Sequence, residues 1–298
     1  MSFLQSITGL LKDPPPAFAF ELSEAGMASA QNGKPPVLYF QEFEKDVISV
    51  SPVRDNILRP DAILGLVKAV APGGDGRKRR TAALILPDYS VRVSVLDFDS
   101  FPSDAKEQAS LVRFRLKRSV PFDVESAAVS FHPQPNAKNS KKVDVIAAVA
   151  PLEVVARYEA PFRAANLHPG WVTTSILAAV QLVPPTGLKV LAKRTGRILS
   201  IAVVDSGAVR LVRSIELADV SAHEIVGHLF PTFAYIEDEL SARPDMLLLC
   251  GFEPNDDRLH DLLQGELGVP VAALISRLGT TGEFNSGLLG YMESLEGA

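Results

Sequence analysis

Residues 188–217, LKVLAKRTGRILSIAVVDSGAVRLVRSIEL, read as three successive strands joined by tight turns. Asp205-Ser206-Gly207-Ala208 supplies the second turn, with the residue types a short hairpin connection needs. A related hairpin opens the chain near Phe18. There Phe18, Phe20 and Leu22 alternate with small or polar neighbours, Gln31-Asn32-Gly33-Lys34 is turn chemistry, and Val37-Leu38-Tyr39-Phe40 returns. Each hairpin region opens a βββαβ-like block. The duplication is coarse, with no short tandem repeat behind it, and it predicts two related α/β lobes.

The stretch between the hairpins predicts a helix over 61–71, with Ile63, Leu66, Val67 and Val70 on one face and Pro72-Gly73-Gly74 at its end. The continuous apolar run 81–87 predicts a buried central strand. Alternation resumes over 88–99, and a helix starts at Asp104, capped by Ser103. Its stripe is Ala105, Ala109, Val112 and Leu116, while Leu111 and Phe114 point away from it. Strands over 127–132 and 143–149 follow, then a helix from Pro151 through Val155, Tyr158 and Phe162, bent at Pro161. Together these predict a small sheet with helices on one side, inserted into a larger unit. Beyond it come a strand and helix over 171–183, the three strands, a helix over 222–240, a buried strand over 246–250, a helix over 256–267 ended by Gly268-Val269-Pro270, and a final helix over 285–295. The predicted division is a tail 1–15, a first lobe 16–87 completed by 169–186, an inserted α+β subdomain 88–168, and a second lobe 187–298.

Composition excludes several classes. Apolar residues make up 47% of 298, enough for a sizeable core, yet no apolar run is long enough to span a bilayer. The start, MSFLQSITGLLKD, lacks the features of a signal peptide. Its Phe3, Leu4, Ile7, Leu10 and Leu11 follow a helical period, which predicts a short helix resting on the body. A membrane-surface foot is the alternative, for which one Lys offers little attraction. The single Cys250, inside MLLLC, reads as a small buried hydrophobe in a reducing compartment. From Glu224 onward thirteen acids and three bases give −10, which leaves +5 for the remainder of a chain with net charge −5. The basic clusters 77–80, 113–118 and Lys193, Arg194, Arg197 lack interleaved aromatics, so they read as solvated faces and not as a nucleic-acid platform.

Local motifs fail the tests their chemistry sets. In His223-Glu224-Ile225-Val226-Gly227-His228 the histidines sit at i and i+5, about 140° apart around a helix, where a zinc helix needs i and i+4. Gly73-Gly74-Asp75-Gly76-Arg77 follows a helix and precedes a strand, the reverse of a phosphate-cradling loop. Asp205-Ser206-Gly207 is a turn and not a nucleophile elbow. The acids Asp256-Asp257 and Glu237-Asp238-Glu239 fall at a helix start and on a helix face.

Taken in order, the pieces resemble the PilM family of type IV pilus assembly proteins. That family shares the actin-like ATPase fold with the divisome protein FtsA and the cytoplasmic part of the secretion protein GspL. The resemblance runs from Phe18 to near the end. It is carried by Leu86-Pro87-Asp88 leading two strands and a helix, by Pro121-Phe122 before a strand ending in Phe131, and by the Leu167 to Pro169 turn back to the first lobe. It implies an actin-like, RNase H-like two-lobe α/β fold with a small inserted α+β subdomain. The family's nucleotide loops are altered here. Its first loop has Asp-x-Gly, where this chain has Glu21, Leu22 and Ser23, and Ala28 stands for the downstream Lys. At the second loop Lys193 and Arg194 take the neighbourhood of an Asp. Of the adenosine-motif Gly pair only Gly251 remains, followed by Phe252. Leu217 passes almost directly to the helix at Ala222, so most of the second-lobe helical subdomain is missing.

Phosphoryl transfer depends on positioning and electrostatics, and a cation at the second loop repels magnesium. The altered resemblance therefore implies a vestigial nucleotide site at Glu21, Ser23, Lys193, Arg194, Gly251 and Phe252, no catalytic residues, no metal, no cofactor and disfavoured ATP binding. It implies a cytoplasmic scaffold, peripheral to the inner membrane through a PilN-like single-span protein whose cytoplasmic N-terminal peptide it holds between the first lobe and the insert. Leu111 and Phe114 are the candidate anchors. A pilus motor ATPase and a second copy of the chain are further candidate partners; nucleic acid is not. Two alternatives stand beside this reading: a nucleotide-binding ATPase whose Lys193-Arg194-Thr195 turn holds phosphate by charge, and a GspL-like adaptor for type II secretion.

Overall fold

A computed structural model describes residues 15–33, 36–73, 80–136, 139, 141–253 and 257–296. The predicted tail helix, most of the glycine- and arginine-rich 73–80 loop, and positions Lys34 and Asp256 lie outside the described residues. The first lobe carries β1 (Phe18–Leu22), β2 (Gly26–Gln31), β3 (Val37–Glu42), α1 (Pro60–Val70), β4 (Arg80–Leu86) and, after the insert, β8 (Leu167–Thr174). The insert is β5 (Arg92–Phe98), α2 (Ala105–Leu116), β6 (Ala127–Pro135) and β7 (Val143–Pro151), and α3 (Leu152–Ala164) leads back. A short α4 (Ser175–Ala179) joins the lobes. The second lobe is β9 (Leu188–Thr195), β10 (Ile198–Asp205), β11 (Ala208–Glu216), α5 (Ala222–Tyr235), β12 (Met246–Cys250), α6 (Asp257–Leu267), β13 (Val271–Ala273) and α7 (Ser286–Glu296).

The predicted duplication is present as topology. The five-stranded sheets have the orders β3-β2-β1-β4-β8 and β11-β10-β9-β12-β13, the same arrangement of hairpin strands followed by parallel ones. The first hairpin holds one strand more than its sequence suggested. The short turn Ser23-Glu24-Ala25 splits it, with the Ser23 amide donating to the Gly26 carbonyl at 2.9 Å. In the second lobe Ser206 and Gly207 take positive φ, 50° and 84°, as the tight β10–β11 turn requires.

Five layers stack through the molecule. Phe20 and Leu22 of β1, with Leu84 of β4, bury against Ile63 and Val67 of α1 and Tyr158 and Phe162 of α3. The other face of that sheet is built from small residues, Ala19, Ala28, Ala30 and Ala83, and this lets α4 and α7 lie close against it. The same two helices cover one face of the second sheet through Ile176, Ala179 and Leu289. The remaining face of that sheet packs on α5 and α6 through Ile225, Leu229, Leu259 and Leu263. Helices α4 and α7 are therefore held between the lobes, and residues 286–292 are buried throughout.

The insert is an antiparallel sheet ordered β5-β7-β6 over its own core of Phe98, Val112, Leu116 and Val145. Helix α2 is capped by Asp104, whose carboxylate accepts from the amides of Lys106 and Glu107, and not by Ser103 as predicted. Of the predicted stripe, Val112 and Leu116 are buried, Ala109 is half-buried and Ala105 is exposed. The sequence assigned α3 to the insert. The structure lays it across the first lobe beside α1, because Val154, Tyr158 and Phe162 recur at i, i+4 and i+8 and all face the larger sheet. Only residues 217–221 separate β11 from α5.

Candidate functional site

Strand parity delivers opposite charges to the layer between the lobes. On β1, Phe20 and Leu22 face α1 and α3, so Ala19 and Glu21 face α4 and α7. On β9, Val190 and Ala192 face α5 and α6, so Leu191 and Lys193 face inward. Asp88 enters the same layer from the single 3₁₀ turn that follows β4. All three are buried: Glu21 is 3% exposed, Asp88 5% and Lys193 1%.

Each carboxylate serves a helix start. Asp88 Oδ1 accepts from the amide of Ile176 in the first turn of α4, at 2.6 Å. Glu21 Oε2 accepts from the amide of Leu288 in the first turn of α7, at 2.7 Å, and its Oε1 accepts from the Ser175 hydroxyl. First-turn amides lack an intrahelical acceptor, and the helix dipole favours negative charge there. The ammonium of Lys193 then balances the acids. It donates to Asp88 Oδ2 at 3.2 Å and to Thr195 Oγ1 at 2.7 Å. Burial by itself pulls the Lys193 pKa down, but the carboxylates of Asp88 and Glu21 outweigh it and leave the ammonium above its ordinary range. Burial pushes Glu21 up, and Lys193, Ser175 and the Leu288 amide offset only part of that rise.

The rest of the second loop is committed to the segment preceding α7. Thr195 Oγ1 donates to the Glu283 carbonyl at 3.1 Å, and the Gly196 amide donates to Glu283 Oε1 at 2.6 Å. The Arg194 guanidinium pairs with the same carboxylate at 3.2 Å and lies 5.7 Å from the centroid of the Phe252 ring. Gly251 has φ 76°, and a Cβ there would fall onto the Arg194 carbonyl oxygen. Its lack of a side chain admits the neighbouring β9 backbone. At the first loop the Ser23 hydroxyl donates to the Gly26 carbonyl at 3.0 Å, and Glu24 accepts from the Val50 amide at 2.6 Å.

A cavity of ≈ 320 Å³ remains above this network, lined by Glu21, Ser23, Glu24, Asp88, Lys193 and Phe284. The structure brings Glu21, Ser23 and Lys193 together at this cavity. Arg194, Gly251 and Phe252 form a separate closed cluster beside them. Sequence reading gave Ser175 and Glu283 no part in the site, took Asp88 only as part of the Leu86-Pro87-Asp88 motif, and named Thr195 only in the turn of its phosphate-holding alternative. The one signal it held was Pro87-Asp88 directly after a buried strand, a place where a chain leaves a sheet and a side chain becomes available to its open end.

A second hollow, ≈ 210 Å³, runs between the insert and the first lobe. Leu86, Val149 and Leu177 are among its lining residues, with Ala128, Val129, Val172 and Thr174. It is mostly apolar, yet the buried Thr174 hydroxyl has no hydrogen-bond partner among the described residues. Neither predicted anchor is among the lining residues. Leu111 packs on the core of the insert, and Phe114 is 66% exposed on α2. A larger hollow, ≈ 740 Å³, lies away from both, around Asp97, Asp144, Arg210 and Tyr235. His228 sits 3.3 Å from Glu224 on α5, as an i, i+4 neighbour.

No family model matches the chain, and no curated protein does. Solved structures do. A PilM-PilN type IV pilus biogenesis complex superposes with a TM-score of 0.74 at 18% identity, over 94% of this chain and 98% of that one. The chain has the actin-like ATPase fold. A Bacteroides thetaiotaomicron protein of actin-like ATPase fold follows at TM-score 0.52 and 14% identity, over 85% and 89% of the two chains. The cytoplasmic domain of EpsL, an inner-membrane component of the Vibrio cholerae type II secretion system, gives 0.51 at 13%, over 94% and 93%. Among the described residues, no helix is long and apolar enough to cross a membrane.

Proposed function

We propose that this chain is a non-catalytic scaffold of a type IV pilus or related inner-membrane machine. Its task is to hold the cytoplasmic N-terminal peptide of a PilN-like single-span protein. The observation that carries this reading is the filling of the interlobe layer by the chain's own charges. Lys193 is engaged by Asp88 and Thr195, and Arg194 by Glu283. The end of β1 and the turn after it present Glu21 and Glu24 to the cavity, and carboxylates repel a triphosphate. Gly251 and Phe252 are closed over by Arg194. These residues do not fit a magnesium nucleotide.

The groove between the insert and the first lobe supports the peptide half of the reading. It lies between β6 and β8, each at the edge of its sheet, and an extended peptide can bury apolar side chains on Ala128, Val129 and Val172. The likeness to PilM in its complex with PilN supports the choice of partner.

Two measurements test this. Calorimetric titration with Mg-ATP is expected to give no binding, and a saturable nucleotide isotherm with turnover would refute the non-catalytic half. Fluorescence anisotropy with the labelled N-terminal peptide of a PilN-like protein is expected to show binding that Ala128→Arg and Val172→Arg abolish. Equal affinity in wild type and both variants would remove the groove from consideration. The EpsL likeness supports a second reading, an adaptor for type II secretion. Co-purification from native membranes separates the two by which membrane protein comes with the chain.

A further inference from the structure

The network between the lobes does more than neutralise buried charge. Asp88 belongs to the first lobe, Lys193 to the second, and Ile176 to the helix that joins them. The polar chain runs from the Ile176 amide through Asp88 and Lys193 to Thr195 and the Glu283 carbonyl, every step between 2.6 and 3.2 Å. A parallel chain runs from Ser175 through Glu21 to Leu288. Both end on the segment that starts α7, and both begin at the start of α4. The Lys193–Asp88 pair is the charged step in this network that crosses from one sheet to the other. Its side chains are 1% and 2% exposed, so water and salt screen it little.

Two glycines fit α7 to this arrangement. At Gly287 a Cβ would stand 2.8 Å from Ser175 Oγ and 2.9 Å from Glu21 Oε1. At Gly290 it would collide with the Ala178 carbonyl, 2.7 Å from its carbon. The helix is therefore seated against α4 and β1 at one spacing. Arg194 and the Gly196 amide, gathered on Glu283, fasten the β9–β10 turn to the same segment.

We propose that the Lys193 ammonium is an internal substitute for an interlobe ligand: it bridges carboxylates of the first lobe to the second lobe and fixes the two at a single angle. The chain is thus held in one closed state by its own residues. Removing the ammonium leaves the first-lobe carboxylates of Asp88 and Glu21 without their second-lobe counter-ion, and the lobes part to let water reach them. This inference concerns the lobe angle alone and stands whichever membrane protein the groove holds.

The test is a distance measurement between the lobes. Nitroxide labels are placed on Lys45→Cys of the first lobe and Gln264→Cys of α6, both exposed positions, while native Cys250 is buried and stays unlabelled. Pulsed electron-electron spectroscopy on the full chain is expected to give one narrow distribution that Mg-ATP does not move. Lys193→Met is expected to broaden it by several ångström and to increase hydrogen exchange in the β9–β10 turn at least tenfold. A narrow, unmoved distribution in folded Lys193→Met overturns the proposal. So does a wild-type distribution that is broad or that shifts with Mg-ATP. If Lys193→Met does not fold, Lys193→Met/Asp88→Asn, in which neither side chain of the pair is charged, is read in the same way: broadening supports the proposal and an unchanged narrow distribution overturns it. Peptide anisotropy is measured on the same samples, so loss of the groove reading and loss of the lobe lock register separately.

Discussion

Replacing Lys193 by Met tests how much stability the interlobe pair supplies. Met keeps most of the stem but not the ammonium. Asp88 would retain its bond from the Ile176 amide, and Glu21 its bonds from Ser175 and Leu288, but two buried carboxylates would lose their counter-ion. Breaking a buried pair by removing one partner costs about 3–5 kcal/mol, and the side chains here are too buried to discount that for screening. Asp88→Asn should cost less, about 1–3 kcal/mol, because the amide oxygen can still accept from Ile176 while Glu21 continues to balance the lysine. The double variant removes both charges of the pair. It should therefore be more stable than the sum of the two losses, with a coupling of about 1–3 kcal/mol. Urea unfolding of all four proteins, followed by Trp171 fluorescence and far-UV dichroism together, supplies the cycle. A coupling below about 0.5 kcal/mol, with both single variants folded, would mean that Lys193 and Asp88 are merely near each other, and the electrostatic account of the cleft would fall.

Gly251→Ala should destabilise by about 2–5 kcal/mol, from about 1–2 for a left-handed non-glycine residue and about 1–3 for pressing Cβ onto the Arg194 carbonyl. A loss under about 0.5 kcal/mol would show that the β9 backbone does not need that space. Gly290→Ala should cost about 1–3 kcal/mol despite alanine's better helix propensity, and should shift Trp171 emission, since the Trp171 ring lies 4.6 Å from that of Tyr291 on α7. An unshifted spectrum would show that α7 keeps its seat. The pH dependence of Lys193 has a definite sign. Its folded pKa is raised above 10.5, so its contribution is complete below that pH and is lost as pH climbs through the folded value. The stability gap between wild type and Lys193→Met should hold constant from about pH 7 to about pH 9.5 and narrow only in stronger alkali. Narrowing already near pH 8 would contradict the raised value.

Much of the architecture is legible in the sequence. Turn residues at Asn32-Gly33 and Ser206-Gly207, with β alternation on either side, reported a duplicated strand block because these signals act within a few residues. The apolar run before Pro87 located a central strand for the same reason. The extra strand β2 escaped because GMASAQ carries small residues instead of large alternating ones. Its smallness reflects how close α7 lies, a tertiary fact. The short β13 escaped because three residues hold too little pattern.

The candidate site divides along the same line. That Glu21 and Lys193 each lie in the first strand of a strand block could be read from the chain, since position within a strand block is a local matter. Sequence reading placed Lys193 and Arg194 in a solvated basic cluster at the second loop. Only folding decided that Lys193 is buried on Asp88, and that Arg194 lies on Glu283 and Phe252, because their partners are 105, 89 and 58 residues away along the chain. Strand parity chose which side chains face the middle layer. The meeting of two such layers, each already complete in its own lobe, chose which charges were left to pair with one another.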